Sequence, residues 1–213
     1  MDIDKRNLFV FFLLLLIGYR VTGQTNGLYI GLERSPQVSW LYTGNSALHS
    51  RIRLGDQYGL LVHYDFYKQL GIAMDAVIST QEVGLNWQET SYQLRSRYVK
   101  IPLQLNYTHL PMGPFSLVGR IGPEVTILTE ASLNQNEQSN NVKAVFRDVG
   151  IGAAAYAGFR LSIVDFVSLN LGIRLDQDFS NGIKALTLDA FPLRNSRYTA
   201  LALVLGVNIL HYK

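Results

Sequence analysis

The stretch YGLLVHYDF sets His63 two residues from Asp65, and a histidine beside a carboxylate is raw material for a general base. No nucleophile is identifiable near the pair, so an inward-facing histidine satisfied by its neighbours is the plainer reading. The other histidines are His49, His109 and His211, and no two of the four have a metal-ligand spacing such as H-x3-H. The chain has no cysteine, which excludes a disulfide scaffold, a thiolate metal site, a cysteine nucleophile and a lipid-anchored N-terminal cysteine. It also has no G-x-S-x-G elbow and no phosphate-binding loop. No catalytic residue, metal ligand or cofactor is therefore assigned. The larger reactive set is ionic: Glu33, Asp65, Asp75, Lys100, Arg120, Glu124, Arg160, Arg174 and Asp176, five acidic and four basic. Burying a charge costs several kcal/mol unless it is paired. Near-cancelling charges on one inward face predict a packed salt-bridge plug. A narrow polar path for ions or a small solute is the alternative.

The elements that must position these groups alternate with period two. In RYVKIPLQLNY (97–107), Val99, Ile101, Leu103, Leu105 and Tyr107 oppose Tyr98, Lys100, Pro102, Gln104 and Asn106. In VSLNLGIRLD (167–176), Val167, Leu169, Leu171, Ile173 and Leu175 oppose Ser168, Asn170, Gly172, Arg174 and Asp176. The same two-faced pattern recurs near 27–34, 58–66, 70–79, 115–126, 148–160 and 198–211, which makes eight strands. Pro102 within such a strand predicts a bulge or a strained register. Short connections are expected near 67–69, 108–114 and 161–165. Long polar connections are expected near 35–56, 80–96, 128–147 and 177–197, the third holding the solvated stretch NQNEQSNN. This alternation describes an all-β, eight-stranded antiparallel up-and-down barrel.

Alternation alone does not say which face is inside. The oily face carries large residues, and the other carries Gly, Ala, Ser, Asn and both signs of charge; the lumen of an eight-stranded barrel is just wide enough for side chains to fill. Tyr64, Phe66, Tyr107, Phe115, Phe159 and Phe166 gather beside the short turns, as membrane-interface aromatics do. Trp40, Tyr42, Trp87, Tyr92, Phe146, Phe179 and Tyr198 fall in or beside the long connections and read as an upper interfacial girdle, or else as a surface for a protein or glycan ligand.

The amino terminus points the same way. Lys5 and Arg6 precede LFVFFLLLLI (8–17), an apolar run of about ten residues that is too short to span a bilayer as a helix. Val21-Thr22-Gly23 then places small residues for cleavage after Gly23, so residues 1–23 are expected as a signal peptide and 24–213 as the barrel domain. No later segment has the ~18 uninterrupted apolar residues of a membrane helix, and in lipid a strand protein must close to pair its backbone. A transmembrane barrel in the outer membrane is the expectation. Of 213 residues 16% are charged, the formal net charge is +3, and no basic cluster is present, which argues against nucleic acid as a partner.

Within RYVKIPLQLNY, Tyr98, Ile101, Pro102, Leu103 and Tyr107 stand at the places of the Y-[hydrophobic]-x-I-P-L-x-[hydrophobic]-x-Y strand, and the YKQLG turn leads to a strand that ends in Glu82-Val83-Gly84. On these residues the mature chain resembles the PorT-like outer-membrane β-barrel family of Bacteroidota, an eight-stranded OmpA-like barrel. The resemblance implies an N-terminus and short turns in the periplasm. Lys213 follows Tyr212, so a terminal aromatic assembly signal is expected to be degenerate or shifted. Three functions follow as expectations: a non-enzymatic barrel with a structural or interaction role through its long loops; as the resemblance implies, a component of a secretion or assembly machine; or a small barrel enzyme acting on lipid or peptide. The expected partners are outer-membrane lipid and, in the second case, other envelope or secretion proteins.

Overall fold

The computed structural model describes residues 27–42, 49–67, 69–87, 90–109, 114–135, 138–164, 166–180 and 196–212. The signal segment and its cleavage position lie outside them, as does residue 213. The strands are β1 (Gly27–Tyr42), β2 (His49–Tyr67), β3 (Leu70–Trp87), β4 (Thr90–Thr108), β5 (Phe115–Gln135), β6 (Gln138–Asn141), β7 (Val149–Val164), β8 (Val167–Asp178) and β9 (Arg197–Tyr212). All pairings are antiparallel. The wall runs β4-β3-β2-β1-β9-β8-β7-β5, and β4 pairs with β5 to close an eight-stranded barrel. Among the described residues the short β6 pairs with the far end of β5 alone. Closure leaves no sheet edge in the ring.

Along most of the wall the oily phase faces out. In β8, Leu169, Leu171, Ile173 and Leu175 are exposed while Ser168, Asn170, Arg174 and Asp176 are buried. In β4, Ile101, Leu103, Leu105 and Tyr107 are exposed against buried Lys100, Gln104 and Asn106. An exposed Leu or Ile forgoes ~1.5–3 kcal/mol of burial, so a continuous belt of them matches an apolar solvent. Among the described residues no helix is long and apolar enough to cross a membrane; the strands form this wall.

The first three expected long polar connections are largely strand, and the fourth, near 177–197, lies mostly outside the described residues. β1 continues to Tyr42 and β2 begins at His49; β3 reaches Trp87 and β4 resumes at Thr90; Asn134 and Gln135 end β5, and Gln138–Asn141 form β6. Likewise Ile163 and Val164 belong to β7, so the third short connection is residues 165–166. The reason is an inversion of polarity. Beyond the apolar belt the strands leave one solvent for another, and their faces trade character. Arg95 and Arg97 face out, while Leu94 and Tyr98 are buried inside with Val83, Leu85, Leu128, Ala131, Phe146, Leu41 and Tyr198. The switch occurs at two apolar doublets that are register mates: Tyr98 opposite Leu128 point in, and Val99 opposite Ile127 point out.

Pro102 makes no bulge. The β3–β4 pairs Met74–Leu103 and Val77–Lys100 on either side of it keep one register, as do the β4–β5 pairs Pro102–Glu124 and Leu105–Ile121. The β3–β4 ladder lacks pairs at Pro102 and the β4–β5 ladder lacks them at Pro123, where proline has no N–H to give. The irregularity of the β4–β5 ladder lies between Arg97 and Tyr98.

Candidate functional site

The interior is stacked in three layers. The deepest spans the belt and holds all nine charged residues named above. Arg174, on β8, is fully buried and forks across the lumen: Nη1 donates to Glu33 on β1 and Nη2 to Asp75 on β3. Each prong is charge-assisted, which makes it stronger than a neutral hydrogen bond. Arg120 on β5 reaches the same Asp75 carboxylate at 3.6 Å and stacks on the Tyr156 ring at 4.1 Å. Tyr156 has room because Gly172 lies under it; a Cβ there would stand 2.6 Å from the ring.

Lys100 on β4 donates to Asp176 on β8 at 2.7 Å, with Glu124 at 4.0 Å. Toward the short turns, Arg160 on β7 meets His63 Nε2 at 2.9 Å and lies 3.9 Å from Asp65, which accepts from Asn106 at 2.9 Å. Since guanidinium only donates, His63 Nε2 is the acceptor, and its ring stacks on Tyr29 at 4.3 Å. His63 is thus engaged by Arg160 and Tyr29, while Asp65 accepts from Asn106 and faces Arg160 as an ion pair. That is the arrangement of a satisfied lumen histidine, not of a general base poised toward a substrate.

Above the ions lies an amide layer. Gln57 donates to Asp176 at 3.0 Å and to Gln37 at 2.6 Å, and Gln37 donates to Ser79 at 2.9 Å and to the Thr80 carbonyl at 2.8 Å. Above that is the apolar cluster, in which the Tyr98 and Tyr198 rings meet edge to face at 6.0 Å. Sequence reasoning missed this third layer because it looked for loops there. The signal that could have found it is the pair of apolar doublets, Tyr98-Val99 and Ile127-Leu128, where alternation changes phase.

The upper aromatics divide accordingly. Phe146 and Tyr198 are core residues and Tyr92 packs against them, so they form no girdle. Tyr42 and Phe179 are exposed and Trp40 is half-buried; the Trp87 side chain lies outside the described residues. Beside the short turns, Phe66, Phe115, Phe159, Phe166 and Tyr107 are exposed and Tyr64 is half-buried. Of the resemblance strand, Ile101, Leu103 and Tyr107 face out and Tyr98 and Pro102 face in. Among the described residues no cluster of His, Cys, Asp and Glu is arranged to hold a metal ion.

No family model matches the chain, and no curated protein matches it. Solved structures do. Outer membrane protein OprG from Pseudomonas aeruginosa superposes with a TM-score of 0.58 at 17% identity, over 91% of this chain and 100% of that one. Neisserial surface protein A gives 0.52 at 14%, over 87% and 99%. AlkL, solved by solid-state NMR in DMPC lipid bilayers, gives 0.51 at 11%, over 92% and 95%. The chain has the fold of small outer-membrane β-barrels.

Proposed function

We propose that this chain is an exported outer-membrane barrel without enzymatic activity, whose lumen is plugged by charge and whose working surface is the end built from long hairpins. The observation that carries the reading is the lattice of buried ions inside an apolar wall. Arg174–Glu33–Asp75, Lys100–Asp176 and Arg160–His63 each cross the lumen between strands that are not neighbours in the ring. A barrel tied through its centre is suited to anchoring and display rather than to passage. The apolar cap over the amide layer adds a second seal and makes the long end a packed body on which a partner could dock.

The test begins with native membranes. Density-gradient fractionation should put the protein with the outer membrane, and the purified barrel should add no steady conductance to a planar bilayer. Inner-membrane or soluble fractionation would sink the localisation, and a stable open-channel current would sink the plug.

The IPL strand supports a second reading, that of a PorT-like component of a secretion or assembly machine. Extraction in mild detergent followed by identification of bound proteins separates the two. A reproducible set of envelope partners favours the machine, and a clean monomer favours the solitary barrel.

A further inference from the structure

We propose that Arg51, Arg53 and Arg95, grouped about Gly84 on the outward side of β2–β4, form a binding face for an acidic polysaccharide. The inference rests on the reading of the long-hairpin end as the working surface.

Gly84 on β3 stands opposite Arg51 on β2 and opposite Gln93 on β4. It raises no side chain between them. Arg53 lies across it, with Nε 3.4 Å from where a Cβ would stand, and the Arg51 Cβ comes within 3.2 Å of the same point. One row nearer the belt, Glu82 on β3 faces Arg95 on β4. Among the described residues Glu82 is the single carboxylate on these two rows, against three exposed arginines.

Two of the guanidiniums are held in place. With the Asn86 amide turned so that both its ends are satisfied, its oxygen accepts from Arg51 Nε and Nη2 at 3.0 Å each, and its nitrogen donates to Ser91 Oγ at 2.8 Å. Arg95 Nε lies 3.5 Å from Glu82 Oε1, while Glu82 Oε2 accepts from Gln93 at 2.8 Å. Both arginines keep further N–H groups for a carboxylate or phosphate, whose geometry the guanidinium fork matches.

Height and surface chemistry select the occupant. Arg95 and Gln93 stand four and six residues beyond Val99, the last outward apolar residue of β4. At ~3.4 Å per residue along a strand tilted ~45°, this lifts the two rows about 10–14 Å above the belt. The interfacial layer on each side of a bilayer core is only about 5–8 Å thick. A ligand for these rows therefore reaches them from the medium rather than from the lipid headgroups. The outward residues here are Glu82, Gly84 and Asn86 on β3 and Ser91, Gln93 and Arg95 on β4, with no apolar side chain among them. A protein partner would seek an aromatic or aliphatic anchor. Amides and a hydroxyl beside guanidiniums suit a chain of sugars that carries its acidic groups among its hydroxyls.

Microscale thermophoresis of the detergent-purified barrel is the test, with polygalacturonate, neutral dextran and polyglutamate as probes. The wild type should bind polygalacturonate, more weakly as salt rises, and should not bind dextran. R51Q/R53Q should weaken the binding about tenfold, as expected for lost hydrogen bonds to a charged group. R147Q/R197Q removes two exposed charges elsewhere and should bind as the wild type does. No binding of polygalacturonate by the wild type, or an equal loss in the two double variants, would overturn the site. Equal or tighter binding of polyglutamate would overturn the assignment to a polysaccharide. The underlying reading is checked separately. The chain has no cysteine of its own, so S91C on intact cells should react with a membrane-impermeant maleimide. Absence of labelling in protein that still shifts on boiling counts against this end as the working surface. A labelled, folded barrel that ignores polygalacturonate counts against the site alone.

Discussion

At the scale of single residues, the interior is governed by what an unpaired charge costs. Arg174 serves two carboxylates at once, so removing it leaves both Glu33 and Asp75 without their strongest partner. R174M should destabilise the barrel by about 3–5 kcal/mol, the cost of breaking a buried ion pair from one side. Urea-dependent refolding into lipid vesicles measures this, and R174M/E33Q should recover part of the loss, because Glu33 is then neutral and Asp75 still faces Arg120. A single-mutant effect below about 1 kcal/mol would mean the lattice contributes little. G172A tests packing at the same depth. Its methyl group would press on the Tyr156 ring and displace it from Arg120, at a cost of about 1–3 kcal/mol. These groups were visible in sequence as the polar members of an alternation. Which of them touch was not, because Arg174 and Glu33 are 141 residues apart and are joined only through the closed ring.

At the scale of elements, one strand serves two solvents. β4 presents Leu103 to lipid and, nine residues earlier, hides Leu94 in the cap. The same residue type should therefore respond differently at the two places. L103R, in the outward belt, should cost about 2–4 kcal/mol of folding in lipid, read from the same refolding titration. L94N should leave the boiled-versus-unboiled shift intact but make the β3–β4 hairpin sensitive to protease, because it loosens the cap and not the wall. Equal protease resistance of L94N and wild type would show that the upper cluster does not hold the hairpins. Strand ends were misplaced in the sequence reading for this reason. A reader following one oily phase sees it stop near Val99 and Ile127, although the strands continue with the phase reversed.

At the scale of the whole molecule, closure makes stability cooperative. Every belt strand has two neighbours, so the barrel cannot lose one strand without exposing a row of backbone N–H and C=O groups to lipid. Unboiled protein in detergent gels should therefore migrate differently from boiled protein, and L103R should shrink the unboiled fraction while R97Q leaves it unchanged. Identical mobility before and after boiling would count heavily against a closed barrel.

Period-two alternation was enough to establish a barrel of eight two-faced strands, and which face is greasy and which is polar. Those properties are local: side chains alternate across a strand whatever its neighbours do. It also placed the short turns at one end. The closed fold was needed to show that the polar face is tied across the lumen by Arg174, Lys100 and Arg160, and that the upper hairpins enclose an apolar core. Each depends on register between strands distant in the chain. Register is set by the closed ring and by the level at which lipid gives way to water, and neither is written in any one strand.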